Sequence, residues 1–482
     1  MMDSQEPDPP TDSLADPLRQ QLEPLLRRFG QQHLIQFWEK ISNSQRLQLA
    51  DQIRSLDWTM LDSLDDPSYQ QTDWGQLAEQ AESPPAITLS DYADRAIYSQ
   101  ACALGQAALA ANKVGLILVA GGQGTRLGFD QPKGMFPLGP LSGRTLFQLL
   151  VDLLKARRAQ FKSSIPLYVM TSPATHSATL DYFGQHQQLG LPADDLHFFT
   201  QGTMPAIDAD RKLILADRDQ IFLSPDGHGG MLDALRKNQL LADIQSRGIE
   251  YLFYAQVDNP LVQLCDPALI GFHILRQSEM TTQVVRKQDP LQRVGNVVKI
   301  GDRLQIIEYS DLPETQARMR DARGELKLWA GSIAVHIFNT QFLLRCAADQ
   351  RSLPFHRAWK KVPFIDPVGE RVEPQEPNAT KFEKFIFDLL PLAENALVCE
   401  VDPAEGFAAV KNAPPAKSET PEHSRQALME LHRRWLRSAA VEVSEGIKVE
   451  INPRFALSVE ELKSKLPPGS VIREHTYFDV EL

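Results

Sequence analysis

Hydrophobic positions along the chain change period at about residue 114. Between Leu18 and about Ala110 apolar residues recur at spacings of three and four, as at Leu22, Leu25, Leu26 and Phe29, with almost no alternation; this predicts helices. At Val114 the run VGLILVA is continuously apolar and ends in the glycine cluster GGQG, the form of a buried parallel strand feeding a turn. IPLYVMT at 165–171 and YLFYAQV at 251–257 repeat that form. Between the first two, TLFQLLVDLLK puts Leu146, Leu149, Leu150, Leu153 and Leu154 on one helical face behind a cap at Ser142 or Thr145. Strands alternating with helices predict an α/β fold with a mostly parallel sheet. From 282 to 340 the strands TQVVRK, NVVKI, LQIIEY and SIAVHIF lie closer together, as in an antiparallel insertion or mixed-sheet edge. Past Ala439 short alternating patches surround one helical pattern at Ser458 to Leu466. The expected organisation is a disordered tail at 1–15, a helical lobe at 16–110, the main α/β domain at 111–438 and a small α+β domain at 439–482.

With 482 residues, several domains are expected. A formal charge of −12 argues against nucleic-acid and anionic-membrane partners, which require a basic face. Cys102, Cys265, Cys346 and Cys399 form no CxxC pair, so buried free thiols are expected rather than a zinc site or a disulfide framework. The stretch MMDSQEPDPPTDS has no apolar core, no run approaches ~18 apolar residues, and a cytoplasmic location without a membrane span is expected.

The chemistry concentrates in VAGGQGTRLGFDQPKG, Val119 to Gly134. Gly121, Gly122 and Gly124 clear side chains so that backbone N–H groups can converge on a phosphate, and Arg126 and Lys133 add positive charge. No GKS or GKT follows, and Leu127 stands where a dinucleotide fingerprint has its third glycine, so neither a P-loop nor a nicotinamide site is indicated. A glycine turn with two solvated cations is the bland alternative. Asp258 ends the YLFYAQV strand, where open α/β sheets place ligands, although an isolated Asp-Asn-Pro also reads as a self-bonded turn.

Gly-Gly-x-Gly-Thr-Arg-Leu-Gly followed by Pro-Lys-Gly resembles the signature of the eukaryotic-type UDP-sugar pyrophosphorylases, most closely the UDP-N-acetylglucosamine pyrophosphorylases. TSPATHSATLDYF at 171–183, QGTMPAID at 201–208, SPDGHGG at 224–230, QVDNPL at 256–261, EYSD at 308–311, AGSIAVHIF at 330–338, TKFEKFIFD at 380–388 and AAVKNAP at 408–414 fit in the same order. The resemblance implies a nucleotide-diphosphosugar-transferase-like core that joins UTP to a sugar 1-phosphate and releases pyrophosphate, with Mg2+ as cofactor. It places Val119, Ala120, Gly121 and Gly122 at the uridine and Arg126 and Lys133 on the departing phosphates. Gln201 falls on the uracil, Gly227 in the nucleotide loop, Asp258 on the metal and Lys381 toward the nucleotide phosphates. Glu308 and Tyr309 fall on the sugar hydroxyls and Lys411 on the sugar phosphate. The sequence departs from the pattern at His228 and Ser332, where asparagines that face the sugar are usual. N-acetylglucosamine 1-phosphate is the sugar expected, a UDP-glucose or broad-specificity enzyme the alternative, and a non-catalytic sugar-nucleotide sensor the reading from another class. His176, His197 and His336 are expected to satisfy hydrogen bonds in or near the core.

Overall fold

The computed structural model describes residues 16–58, 61, 73–349 and 353–480; the tail expected at 1–15 lies outside them. The chain divides into two compact units, one of Met1–Gln71, Thr203–Asp226 and Phe355–Glu383 and a larger one of Thr72–Gly202, Gly227–Pro354 and Lys384–Leu482.

The larger unit is built on a nine-stranded sheet: β1 (Val114–Val119), β2 (Leu167–Thr171), β3 (Leu196–Thr200), β4 (Tyr251–Gln256), β5 (Met280–Arg286), β6 (Asn296–Ile300), β7 (Arg303–Ile307), β8 (Ala330–Asn339) and β9 (Ala396–Glu400). The order runs β7-β6-β8-β4-β1-β2-β3, and β5 pairs both β8 and β9. The continuous apolar runs of β1, β2 and β4 form the parallel core with β3, as strands buried on both faces must. The crowded strands from 280 to 340 supply the mixed part: β6 and β7 are an antiparallel hairpin, and the long β8 runs antiparallel to β4, β5 and β6. Thr145, not Ser142, caps the helix Leu146–Phe161, in a capping box with Gln148. Leu146, Leu150 and Leu154 on that helix are fully buried, each contributing roughly 1.5–3 kcal/mol. The helix Pro421–Ser438 leads into short strands and the helix Val459–Lys465, which close a small core of Leu436, Val449, Ile451 and Leu462.

The smaller unit packs the helices Pro17–Arg28 and Asn43–Ser55 against two antiparallel strand pairs, Thr203–Pro205 with Leu223–Pro225 and His356–Lys360 with Ala379–Glu383. Leu22, Leu26, Trp38, Ile53 and Phe382 fill its core. No described helix is long and apolar enough to cross a membrane. Cys265, Cys346 and Cys399 are buried free thiols, and Cys102 is partly exposed.

Candidate active site

The carboxyl ends of β1, β2, β3 and β4 lie side by side, and the residues that follow them carry the candidate chemistry. After β1 the glycine loop closes on itself. The N–H of Gly124 donates to the carbonyl of Gln131 at 2.9 Å, and the N–H of Lys133 donates to that of Gly122 at 3.0 Å. Gly121 has no room for a side chain, because a Cβ there would stand 2.6 Å from Gln201 Oε1 and 3.2 Å from the Ser172 nitrogen. That close approach brings the buried Gln201, just past β3, against the loop. Lys133 Nζ donates to Asp258 Oδ2 at 3.3 Å, in a pair whose side chains are only 17% and 13% exposed. Arg126 is exposed on the loop, and its carbonyl accepts from the N–H of Ala413 at 3.0 Å.

Asp258 is therefore not the self-bonded residue of its turn; Asn259 is. Asn259 Oδ1 accepts from the N–H groups of Leu261 and Ala408 at 3.3 and 3.0 Å, and its Nδ2 donates to the carbonyl of Gly406 at 2.8 Å. The N–H of Val410 donates to the Asp258 carbonyl at 2.8 Å. These bonds draw the segment 406–411 to the end of β4. Among the described residues no group of three or more His, Cys, Asp or Glu side chains forms a metal cage. A single carboxylate at Asp258 nonetheless fits Mg2+, which binds through one or two carboxylates with substrate phosphates filling its other positions.

Beside Asp258 opens a cleft of about 160 Å³, lined by His228, Glu308, Tyr309, Ser332 and Lys411, so the residues expected at the sugar come together. Gln256, Arg293, Gly295 and Phe407 also line it and were not singled out from the sequence. Gly295 carries a usable signal: a Cβ there would meet Ile306 Cγ2 at 2.7 Å and Glu308 Oε1 at 3.2 Å, so glycine lets Glu308 approach. A bulge in β8 breaks its register with β5 between Ser332 and Val335, with Ala334 at φ +54°. The bulge turns Ser332, Ile333 and Ala334 together onto the cleft. His228 stacks on Phe385, and its Nδ1 accepts from the N–H of Ile386 at 3.2 Å. In the neutral ring the proton is then on Nε2. Tyr309 is half exposed, and Lys411 Nζ pairs with Glu419 Oε1 at 3.1 Å.

Gly227, at φ +84°, precedes His228 in a left-handed conformation that suits glycine. Val119 and Ala120 end β1 and begin the loop, and Ala120 is fully buried. Lys381 stands on the strand Ala379–Glu383 of the smaller unit, its Nζ 5.9 Å from the centre of the Phe222 ring.

The loop that follows Lys133 is pinned from the far end of the chain. The buried carboxylate of Glu450 accepts from the N–H groups of Leu141 and Ser142, both at 2.7 Å, and from Ser142 Oγ at 2.6 Å. His176 Nδ1 and His336 Nδ1 lie 2.8 and 3.1 Å from Thr171 Oγ1 and Thr282 Oγ1, as expected, whereas the buried Nε2 atoms of His336 and His197 have no hydrogen-bond partner among the described residues, and His197 stacks on Tyr168. Burial pushes His336 down to about 3, so it stays neutral at physiological pH.

Residues 69–461 match the protein family described as UTP–glucose-1-phosphate uridylyltransferase. The chain is 39% identical over 374 residues to a Saccharomyces cerevisiae protein named UDP-N-acetylglucosamine pyrophosphorylase, covering 74% of this chain and 77% of that one. It is 33% identical to the Arabidopsis thaliana protein named UDP-N-acetylglucosamine diphosphorylase 2, over 95% and 93% of the two chains. Among solved structures, the uridine diphosphate N-acetylglucosamine pyrophosphorylase of Trypanosoma brucei, in complex with an inhibitor, superposes with a TM-score of 0.80 at 26% identity, covering 96% and 99% of the chains.

Proposed function

Since the chain belongs to the UTP–glucose-1-phosphate uridylyltransferase family, we propose that it joins UTP to N-acetylglucosamine 1-phosphate, forming the UDP-sugar and releasing pyrophosphate. The observation that carries this reading is the cleft in which His228, Glu308, Tyr309, Ser332 and Lys411 meet Asp258, one ion pair away from the glycine loop.

A sugar-phosphate oxygen attacks the α-phosphorus of UTP in line, and the bond to the pyrophosphate oxygen breaks. The attacking phosphate is already ionised at neutral pH, so positioning and charge stabilisation carry the reaction and no strong base is required. Arg126 and Lys133 hold the departing phosphates; a planar fork and a mobile ammonium can both follow charge onto the leaving group. Gln201 presents its amide to the uracil edge beside Gly121. Lys411 faces the sugar phosphate, and Glu308 and His228 orient the sugar. Asp258 would hold Mg2+, which when bound neutralises charge on the phosphate oxygens. The chain's unpaired cysteines, three of them buried, suit a cytoplasmic location.

Ser332 and His228 favour one second reading, a broader choice of sugar. Ser332 is shorter than the usual asparagine and leaves space that a water can fill. His228 spends its acceptor on the backbone of Ile386, which leaves it a donor only. The deciding measurement is pyrophosphate release from UTP with a panel of sugar 1-phosphates. N-acetylglucosamine 1-phosphate should give the highest kcat/KM. A tenfold preference for glucose 1-phosphate, about 1.4 kcal/mol, would replace this reading with the second, and no release with any sugar would leave a sensor.

A further inference from the structure

A second basic hollow, of about 260 Å³, opens where the start of the helix Leu146–Phe161, the turn after Gln185 and the segment after Asn452 come together. None of its residues takes part in the reaction above. Arg144, Lys155 and Arg454 line it with His186, and the one carboxylate in its lining is Asp152.

These cations are held in place by groups that do not neutralise them all. Arg144 pairs with Asp152 Oδ2 at 2.8 Å, lies 3.7 Å from Asp479 Oδ2, and donates from Nε to the Tyr477 hydroxyl at 2.9 Å. Lys155 Nζ donates to the Leu189 carbonyl at 3.0 Å, a neutral partner. The guanidinium of Arg454 makes no hydrogen bond or ion pair with a described residue, and Arg454 is exposed. His186 Nδ1 lies 2.8 Å from the Tyr182 carbonyl and so carries its hydrogen there, with the ring stacked on Tyr182. Three permanent cations against Asp152 and Asp479 leave one net positive charge before His186 is counted, on a chain of formal charge −12. The crowding is felt locally: burial, and after it the neighbouring Arg454, push the Lys155 ammonium below its ordinary value, with Asp152 opposing and Arg144 adding to the fall. An anion of suitable shape would relieve this repulsion without any group having to move far.

We propose that this hollow binds the phosphate group of a small anion, inorganic phosphate or a phosphate monoester, between Arg144, Lys155 and Arg454. The uncommitted planar fork of Arg454 and the Lys155 ammonium match tetrahedral phosphate oxygens, and Arg144, held by Asp152 and Tyr477, adds positive charge beside them. The anion's negative charge offsets the net positive charge of the hollow, which a neutral ligand would leave uncompensated. The hollow has space for a small organic group beyond the phosphate. Arg144 belongs to the same loop that Glu450 pins and that leads back to Lys133, so a ligand here touches the loop at a point away from the substrates.

The test is equilibrium titration with inorganic phosphate and with glucose 6-phosphate, followed by 31P NMR and calorimetry, on the full chain and on Arg454→Ala, Lys155→Gln and Lys133→Ala. A saturable site should survive in Lys133→Ala, and Arg454→Ala and Lys155→Gln should each weaken it tenfold or more. Both of those variants should keep their circular dichroism spectrum and their basal turnover in phosphate-free buffer. Tighter binding of glucose 6-phosphate identifies a monoester site, and equal binding a site for bare phosphate; each supports the proposal. Absence of saturable binding up to about 10 mM would overturn it, as would binding that is lost in Lys133→Ala yet kept in Arg454→Ala. Because binding is read without turnover, failure of this proposal is separable from failure of the catalytic one.

Discussion

The half of the candidate site proposed to hold the nucleotide is built mainly on one unbroken stretch, Val119–Gly134, with Gln201 lodged against it, whereas the half proposed to hold the sugar is assembled from the loop at His228 and from residues at β4, β7, β8 and the segment 406–411. In the first half backbone does most of the shaping, and short-range hydrogen bonds close the loop on itself. In the second, side chains do it, each delivered by a different element. A loop of backbone donors tolerates little change, because any side chain at Gly121 collides with Gln201. A cleft of separate side chains can be altered one residue at a time. Phosphate handling and sugar choice should therefore be separable by mutation, with Asp258 standing between them.

The largest effect should come from breaking the first half. Lys133→Ala and Arg126→Ala should each lower kcat about 100-fold or more, the scale for removing a fixed group that faces developing charge. The ratio of kcat/KM between N-acetylglucosamine 1-phosphate and glucose 1-phosphate should stay where it was. Steady-state kinetics with both sugars checks this, and a shifted ratio would mean that the halves are not independent. Asp258→Asn, at the junction, should raise the Mg2+ needed for half-maximal rate by roughly tenfold while weakening UTP binding less. An amide keeps the shape but loses the charge that holds a hard cation. A metal titration that superposes on that of the unaltered protein would move the metal away from Asp258. The smallest effect belongs to the second half: His228→Asn and Ser332→Asn should raise the preference for the N-acetyl sugar about threefold to tenfold and leave UTP kinetics alone. An unchanged ratio in the double variant would make both residues neutral replacements.

The same contrast governs what could be read from the sequence. The parallel core and its glycine loop were legible because one apolar run followed by GGxG is a local signal, and the capped leucine face of Leu146–Phe161 was equally local. The mixed character of the sheet showed in the close spacing of strands after residue 280, but not that β8 would insert antiparallel next to β4. The residues of the sugar cleft could be named only through resemblance. Nothing in SIAVHIF announces the bulge that turns Ser332 to Ala334 onto one cleft, since a register shift is a property of two strands. The Asp-Asn-Pro turn was visible, yet the division of labour in it was not: Asn259 takes the turn bonds and frees Asp258 for Lys133. For His228 the sequence offers a donor and an acceptor, and only the hydrogen bond from the Ile386 N–H to Nδ1 shows that the acceptor is spent. Arg293 gave no signal, and Gln256 gave none beyond its place at the head of QVDNPL. That Thr203–Asp226 and Phe355–Glu383 fold with the N-terminal helices is likewise a long-range outcome.

The pin between Glu450 and the loop at Leu141 and Ser142 also has a history in time. Its hydrogen bonds join positions 308 and 309 residues apart. A ribosome adding about 5–20 residues per second makes the glycine loop some ~15–60 s before it makes the carboxylate that holds the loop's continuation. All nine strands of the sheet, through Glu400, precede that carboxylate in the order of synthesis. The nascent chain can pair its strands while the stretch beyond Lys133 still has no anchor. Fixing that stretch is thus among the closing events of assembly, and a chain stalled before residue 450 would carry the scaffold of a nucleotide site without the fastening that sets its loop.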